Sequence, residues 1–271
     1  MRKPLAVAAI TALSSVSLIG LAPPASAAGT ANVAIFHGVP GLDVDVYANG
    51  NKLLDNFTPG TLVEDQSIPA GSYDLQVFPA DAADNSGTPA IEASGVQVPA
   101  GADATIVAHL SADGAPTLTL FPNDTSEVAA GQSRVTVRHT AAAPPVDVLA
   151  GGSPVFTALA NPAETTAVVP AGALADVAVA LAGTTEPVLG PTTLDLGEGT
   201  NTIVYAWGSA ADGNLTLATQ TLSGLGSAPG AVPAGEVGLA DDGLPAWALG
   251  LTAAAAIGVA ISARRLATSS R

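Results

Sequence analysis

The sequence predicts an all-β protein made of two tandem immunoglobulin-like β-sandwich modules, followed by one C-terminal transmembrane helix. Apolar residues alternate with polar ones rather than recurring every three or four positions, and turn residues interrupt them about every ten positions. The stretch 33–47 also returns in degenerate form at 135–149. Seven or eight short strands per copy with regular turns favour a sandwich, with barrel-like closure as the alternative.

The repeat indicates two modules of domain size. His37 is followed by a turn and by Val44-Asp45-Val46, and His139 is followed by a turn and by Val146-Asp147-Val148, with the same spacing from His to Asp. A period this long indicates tandem modules rather than a solenoid of short repeats.

Turn residues divide the first module into eight predicted strands, and Asn49-Gly50 is a two-residue hairpin signal. The predicted strands cover residues 32–37, 43–48, 52–57, 60–68, 71–79, 89–98, 104–110 and 117–121. The second module repeats the turns: Pro-Ala-Gly at 69–71 corresponds to 170–172, and the segment 105–108 is aligned with 202–205.

Both ends of the chain carry apolar segments of different kinds. Residues 1–27 fit a signal peptide, because Arg2 and Lys3 precede an apolar run that ends in Ala25-Ser26-Ala27. Residues 244–263 contain no charge, are long enough for one bilayer crossing and are closed by Arg264-Arg265. We therefore expect an exported protein, anchored in the cell membrane with its β modules extracellular and a cytoplasmic basic tail.

The predicted order of segments follows from these observations. It is a signal peptide (1–27), a first β-sandwich module (28–124), a linker (125–133), a second module (134–222), a stalk rich in Gly, Pro and Ala (223–243), a transmembrane helix (244–263) and a tail (264–271). A sortase-processed anchor is the alternative for the C-terminus. Leu244-Pro245 suits it, but the Thr-Gly that such an enzyme cuts is missing.

Charge and composition exclude several classes of function. All 23 acidic residues lie between Asp43 and Asp242, where only three basic residues occur, so this span carries a net charge of −20. Such a surface repels phosphate backbones, and we expect no nucleic acid among the partners. The chain has no Cys, which excludes disulfides, thiolate zinc sites and a thiol nucleophile.

The motif around His37 resembles a known family. His37, a turn containing Pro40, the run Val44-Asp45-Val46-Tyr47, then Asn49-Gly50 and later Pro-Ala-Gly turns are similar to the domain of unknown function 4397 family of exported bacterial proteins. The resemblance covers about residues 32–222 in two copies and is closest in the first. The second copy has Leu149 in place of Tyr47. The resemblance implies a β-sandwich fold and export, and it supplies no catalytic residues.

The candidate binding residues are the repeated polar pairs and their neighbour Asp43. A carboxylate beside an imidazole can fix its tautomer and raise its pKa, as in an acid–base or binding dyad. The alternative is that each imidazole ends its strand and staples a neighbouring turn by hydrogen bonds. The candidates are His37, Asp43, Asp45, His139 and Asp147.

Three weaker candidates each have an ordinary structural role as the alternative. Asp81, Asp84 and Asn85 share an oxygen-rich loop that could hold Ca²⁺, although the usual calcium-loop spacing is absent. Phe36 and Tyr47 could form an aromatic patch if their strands pair. A Ser-His-Asp arrangement drawn from Ser67 or Ser72 with His109 has no supporting elbow motif.

The sequence favours a structural or interaction module of the cell envelope, for ligand binding or adhesion, rather than an enzyme. No nucleophile accompanies the repeated His-Asp pairs, as catalysis would require. A cell-envelope polymer or surface protein is a possible partner. No cofactor is expected apart from Ca²⁺ as a candidate. The alternatives are a secreted hydrolase that uses a His/Asp pair and a passive surface spacer. The oligomeric state stays open.

Overall fold

The computed structural model of the protein describes residues 29–227, which form sixteen β-strands and no helix. The strands of the first module are β1 (Thr30–Gly38), β2 (Val44–Ala48), β3 (Asn51–Phe57), β4 (Leu62–Pro69), β5 (Gly71–Pro79), β6 (Ile91–Val98), β7 (Asp103–Leu110) and β8 (Pro116–Pro122). Each of the eight predicted strands of this module is present, with its ends shifted by at most two residues. The all-β prediction is confirmed.

The second module repeats the same series of strands. They are β9 (Gln132–His139), β10 (Val146–Ala150), β11 (Ser153–Leu159), β12 (Ala163–Pro170), β13 (Gly172–Leu181), β14 (Pro187–Leu196), β15 (Asn201–Trp207) and β16 (Thr216–Leu222). The strand lengths agree closely with those of the first module, so the internal repeat is visible in the structure as well as in the sequence.

Each module contains two four-stranded sheets. In the first module the inner sheet has the order β4-β1-β7-β8 and the outer sheet β3-β2-β5-β6; in the second they are β12-β9-β15-β16 and β11-β10-β13-β14. The first core joins Val33 and Ile35 of the inner sheet to Val44, Val46 and Val77 of the outer sheet. Two sheets that bury one face each against the other form a sandwich.

The strand order corrects the immunoglobulin-like part of the prediction. An immunoglobulin domain places its first, second, fifth and fourth strands in one antiparallel sheet. Here β1 pairs with β4 and runs parallel to β7, while β2 pairs with β3 and β5. Turn spacing determines how many strands form and where they end, but several pairings of the same strands bury the same apolar faces. The sequence therefore predicted the sandwich without its connectivity.

The strand registers also correct one part of the sequence alignment between modules. Ile106 lies opposite Ile35, and Val204 lies opposite Val137, so Val204 is the true counterpart of Ile106. The alignment of segments 105–108 and 202–205 by sequence instead matches Ile106 with Ile203. A shift of one residue moves a side chain to the other face of a strand. Ile203 accordingly points away from its module's core and towards the first module.

The two inner sheets pack against each other through a third apolar cluster. Its fully buried members include Phe36 and Val107 from the first module and Ile203 and Tyr205 from the second. The rings of Phe36 and Tyr205 lie 4.8 Å apart, and Trp207 meets Phe36 edge-on at 5.9 Å. The four sheets thus form a continuous stack in which the modules share a buried boundary.

The segment between the modules is partly packed rather than free. Val128, within the predicted linker, is 1% exposed, and its backbone N–H donates to the Leu225 carbonyl. Ser227 N–H donates in turn to the Val128 carbonyl. Residues 223–227, the first part of the predicted stalk, therefore run beside the linker.

The signal peptide, the rest of the stalk, the transmembrane helix and the basic tail lie outside the described residues. Between residues 29 and 227, no helix has the length and apolar character needed to cross a membrane.

Candidate functional site

His37 closes the turn between β1 and β2. Its side chain is fully buried, and Nε2–H donates to the Leu42 carbonyl at 2.7 Å. Nδ1 accepts a longer bond of 3.4 Å from the backbone N–H of Val39. These two bonds require the tautomer with its proton on Nε2, and they occupy both ring nitrogens.

His139 repeats this arrangement in the second module. Its Nε2–H donates to the Pro144 carbonyl at 3.1 Å, and its Nδ1 accepts from the backbone N–H of Ala141 at 3.4 Å. The same geometry therefore recurs although the turn sequences differ, with Ala-Ala-Ala-Pro-Pro in the second copy. Both rings have the bonding pattern of the staple that the sequence offered as one of two alternatives.

Burial lowers the pKa of both imidazoles below its ordinary value, because desolvation disfavours the charged ring. The carbonyl bonds to Leu42 and Pro144 oppose this effect, and the charge of Asp43 opposes it further at His37. A neutral ring suits the observed bonds, since protonation would place a second N–H on Nδ1 facing a backbone N–H.

Asp45 and Asp147 bind a different part of the fold from the histidines. Asp45 Oδ1 accepts from Asn56 N–H at 2.9 Å, and Asp147 Oδ1 accepts from Ala158 N–H at 2.8 Å. Asn56 and Ala158 have positive φ angles of 49° and 55° at the bulges of β3 and β11. Each buried carboxylate thus holds a bulge whose backbone N–H has left the regular ladder.

The second oxygen of each carboxylate is also bonded. Asp45 Oδ2 accepts from Lys52 Nζ at 2.6 Å, whereas Asp147 Oδ2 accepts from the backbone N–H of Gly183 at 2.8 Å. Asp43 is exposed, and its backbone carbonyl accepts from Ala80 N–H. The structure therefore places the predicted binding residues in one region of each module and gives His and Asp separate hydrogen-bond partners.

The predicted calcium loop forms an ordinary polar turn. Asp84 Oδ1 accepts from both the backbone N–H and the hydroxyl of Ser86, and these bonds lower the pKa of the Asp84 carboxyl. Asn85 donates to the Gly50 carbonyl at 3.3 Å, and Asp81 is exposed. Within residues 29–227, no three His, Asp or Glu side chains are grouped in a way that could hold a metal.

The aromatic patch does not form, because its two residues belong to different sheets. Phe36 lies at the module boundary, while Tyr47 packs edge-on against Phe78 at 5.6 Å beneath Lys52. The condition for the patch, pairing of β1 with β2, is therefore not met.

The Ser-His-Asp arrangement suggested for Ser67 or Ser72 with His109 also lacks a free imidazole. His109 is fully buried, its Nδ1–H donates to the Leu110 carbonyl at 2.8 Å, and its Nε2 accepts from the Thr119 hydroxyl at 2.8 Å. Ser72 accepts from the Gln97 amide instead of meeting His109.

The most extensive polar site was not among the predicted candidates. Arg138 is 1% exposed at the boundary between the modules. Its Nε donates to Glu164 Oε2 at 2.8 Å, its Nη1 to the Tyr205 hydroxyl at 2.8 Å and its Nη2 to Asn123 Oδ1 at 2.9 Å. The guanidinium also lies over the Phe121 ring, 4.7 Å from its centroid. One feature of the sequence could have indicated this site: the second copy of the repeat has an arginine at the position that Phe36 occupies in the first.

The network continues across the boundary through Tyr205 and Gln220. The Tyr205 hydroxyl donates to Gln220 Oε1 at 2.6 Å, and the Thr105 hydroxyl of the first module lies 3.1 Å from the same oxygen. Burial raises the pKa of Tyr205, so the phenol keeps its proton. A satisfied buried network of this kind fixes the relative position of the two modules.

Fold and site together define a tandem β-sandwich protein whose modules are joined by a buried polar network. Residues 31–149 match the model of the family described as Domain of unknown function (DUF4397). The predicted resemblance is thereby confirmed. The match spans the first module and reaches β10 of the second, so the assignment of a second copy depends on the repeat in sequence and structure.

Two further comparisons add little. No curated protein matches the chain. Among solved structures, a candidate cell adhesion protein from Bacteroides ovatus ATCC 8483 has 10% sequence identity and a TM-score of 0.21, over 71% of this chain and 97% of the other. A similarity this weak does not bear on function.

Proposed function

We propose that this protein is an exported cell-envelope protein, held in the membrane by its C-terminal helix, that acts as a structural or interaction module and not as an enzyme. The signal peptide and apolar C-terminal segment of the sequence support export and anchoring. The network around Arg138 supports a role in which both modules present one continuous surface to a partner.

The proposal that the protein is not an enzyme depends on its three histidines. All three are buried, and both ring nitrogens of each are hydrogen-bonded. General acid–base catalysis requires a side chain that can exchange a proton with a substrate. In His37, His109 and His139 the protons and lone pairs are directed at the protein itself. This arrangement opposes the alternative of a hydrolase that uses a His/Asp pair.

The charge of the chain limits the chemistry of the partner. An acidic surface favours cationic or neutral partners, such as an envelope polymer without strong negative charge or a basic surface protein. It disfavours nucleic acid. Ca²⁺ stays a proposed ligand for the exposed carboxylates, with Asp81, Asp84 and Asn85 as its candidate site.

Binding to envelope fragments tests this function directly. The purified protein is mixed with isolated cell-envelope fragments over a range of concentrations, and the sedimented fraction and any soluble products are measured. Saturable sedimentation without release of products is the expected result. Absence of binding would favour a passive spacer, and release of soluble fragments would favour a hydrolase.

Location is tested separately with intact cells. If the modules are outside, added protease should degrade them without prior lysis, whereas a cytoplasmic marker protein should survive. Protection of the modules in intact cells would contradict export.

A further inference from the structure

The core of the second module contains an apolar cavity of about 130 Å³ between its inner and outer sheets. Eight of its seventeen lining residues are valines from several strands, and Thr192 is the one residue of the lining with a polar side chain. Protein cores are normally packed with few voids larger than a water molecule. A space of this size therefore differs from ordinary packing.

The first module shows that the fold does not require this space. The equivalent part of its core contains two small voids, of about 20 and 50 Å³. The strand registers identify which residues differ, because the same pairings occur in both modules. Five lining positions have smaller side chains than in the first module: Val137 for Ile35, Val169 for Ile68, Leu174 for Tyr73, Val177 for Leu75 and Val204 for Ile106. Two change in the opposite direction, with Phe156 for Leu54 and Leu194 for Val96, so the larger space goes with the five reductions.

The cavity reaches the surface at the side where the two sheets end. Val155 on β11 belongs to its lining and is 54% exposed, and Ala167 on the neighbouring edge strand β12 also lines it. In the first module the position of Ala167 is taken by Gln66, which lies opposite Val33 as Ala167 lies opposite Val135. The longer Gln66 side chain lines the smaller void there.

We propose that this cavity is a binding site for a small apolar molecule about the size of benzene. A void lined by apolar groups offers water no hydrogen-bond partners, and an engineered cavity of about 150 Å³ with such a lining stays dry and binds benzene or xenon. An apolar guest restores the dispersion contacts that the lining side chains lack when the cavity is empty. The site selects by size and apolarity, because the lining has almost no polar group to orient a ligand.

The first test uses benzene and the full-length chain, with its methyl groups labelled for NMR. Benzene should shift the methyl signals of lining residues such as Val177 and Val204 in a saturable way, while those of the first module stay fixed. It should also raise the Tm by about 2–4 °C, since a ligand that binds only the folded state stabilises it. No saturable shift of the lining methyl groups would overturn the proposal.

Filling the cavity with the residues of the first module gives a matched test. The variant Val177→Leu/Val204→Ile should show neither the methyl shifts nor the rise in Tm with benzene. If the double variant does not fold, each single variant serves instead and should show a weaker response. The control Val188→Ile adds a methylene at a site that is 42% exposed, and it should respond as the native chain does. An undiminished response in the filled variants would place benzene elsewhere and overturn the proposal. This test is independent of any role at the envelope.

Discussion

The guanidinium of Arg138 in the second module stacks on the ring of Phe121 in the first, with its central carbon 4.7 Å from the ring centroid. The charge is completely shielded from solvent and is met by hydrogen bonds to Glu164, Tyr205 and Asn123. The modules are therefore joined by a specific polar contact that lies within an apolar boundary.

Replacing Arg138 with Met should lower the free energy of unfolding by about 2–4 kcal/mol. The substitution puts a shorter, apolar and unbranched side chain in place of arginine. It leaves the Glu164 carboxylate without its cation and removes a donor from the Tyr205 hydroxyl. Urea unfolding of the purified protein measures the change.

The double variant Arg138→Met/Glu164→Leu is the control for this prediction. It should recover part of the loss, because no carboxylate then stays uncompensated at the boundary. Equal stability of native and single-variant proteins would show that Arg138 does not hold the modules together.

Replacing Ala158 with Gly should stabilise the protein by up to about 1 kcal/mol. Ala158 has a φ of 55°, a left-handed conformation that is strained for a residue with a Cβ and natural for glycine. The hydrogen bond from its N–H to Asp147 uses the backbone alone and should persist. Thermal or urea unfolding provides the measurement.

Ala160→Gly is the matched control in the same turn region, because Ala160 is exposed and is not among the residues with positive φ. There the substitution only adds freedom to the unfolded chain and should destabilise slightly. Destabilisation by both substitutions would contradict strain at Ala158.

The three histidines should make stability depend on pH. Burial holds the pKa of His37, His109 and His139 below the ordinary value of about 6.5. At His109 the nearby His139 lowers the pKa further. As the pH falls below about 6.5, the histidines of the unfolded chain are protonated before those of the folded protein. The free energy of unfolding therefore declines until the pH reaches the lower pKa values of the folded protein. The decline is up to about 1.4 kcal/mol per pH unit for each histidine.

Thermal unfolding between pH 8 and pH 5 tests this dependence. The lowered pKa values of Asp84 and Asp124 keep those carboxylates ionised throughout this range. The double variant His37→Gln/His139→Gln should lose most of the slope. A Tm that is constant over the range would mean that the histidines do not resist protonation in the folded protein.

Much of the fold could be predicted because local sequence determines it. Alternation and turn residues located every strand of the first module, and the spacing of His37 and Asp45 revealed the duplication. Strand partners could not be read in this way, because the parallel pairing of β1 with β7 joins segments about 70 residues apart whose apolar faces would suit other partners equally well.

The polar chemistry was harder to predict than the strands. The sequence grouped His37 with Asp45 because both recur, but the structure gives them separate partners, a turn carbonyl and a bulge N–H. Arg138 was visible as a charged residue in place of Phe36, yet its meaning depends on Tyr205, 67 residues further along the chain. No local pattern shows that these side chains meet.

The most direct test of the account compares envelope binding by the native protein and by His37→Gln/His139→Gln. Both are measured at pH 7.5 by sedimentation with isolated envelope fragments, after circular dichroism has established that the variant is folded. Because the account assigns the histidines to the turns and the interaction to the surface, it predicts saturable binding with dissociation constants that agree within about twofold, equivalent to about 0.4 kcal/mol. A variant that remains folded but binds at least tenfold more weakly would contradict it, and would make the repeated histidines part of the binding site.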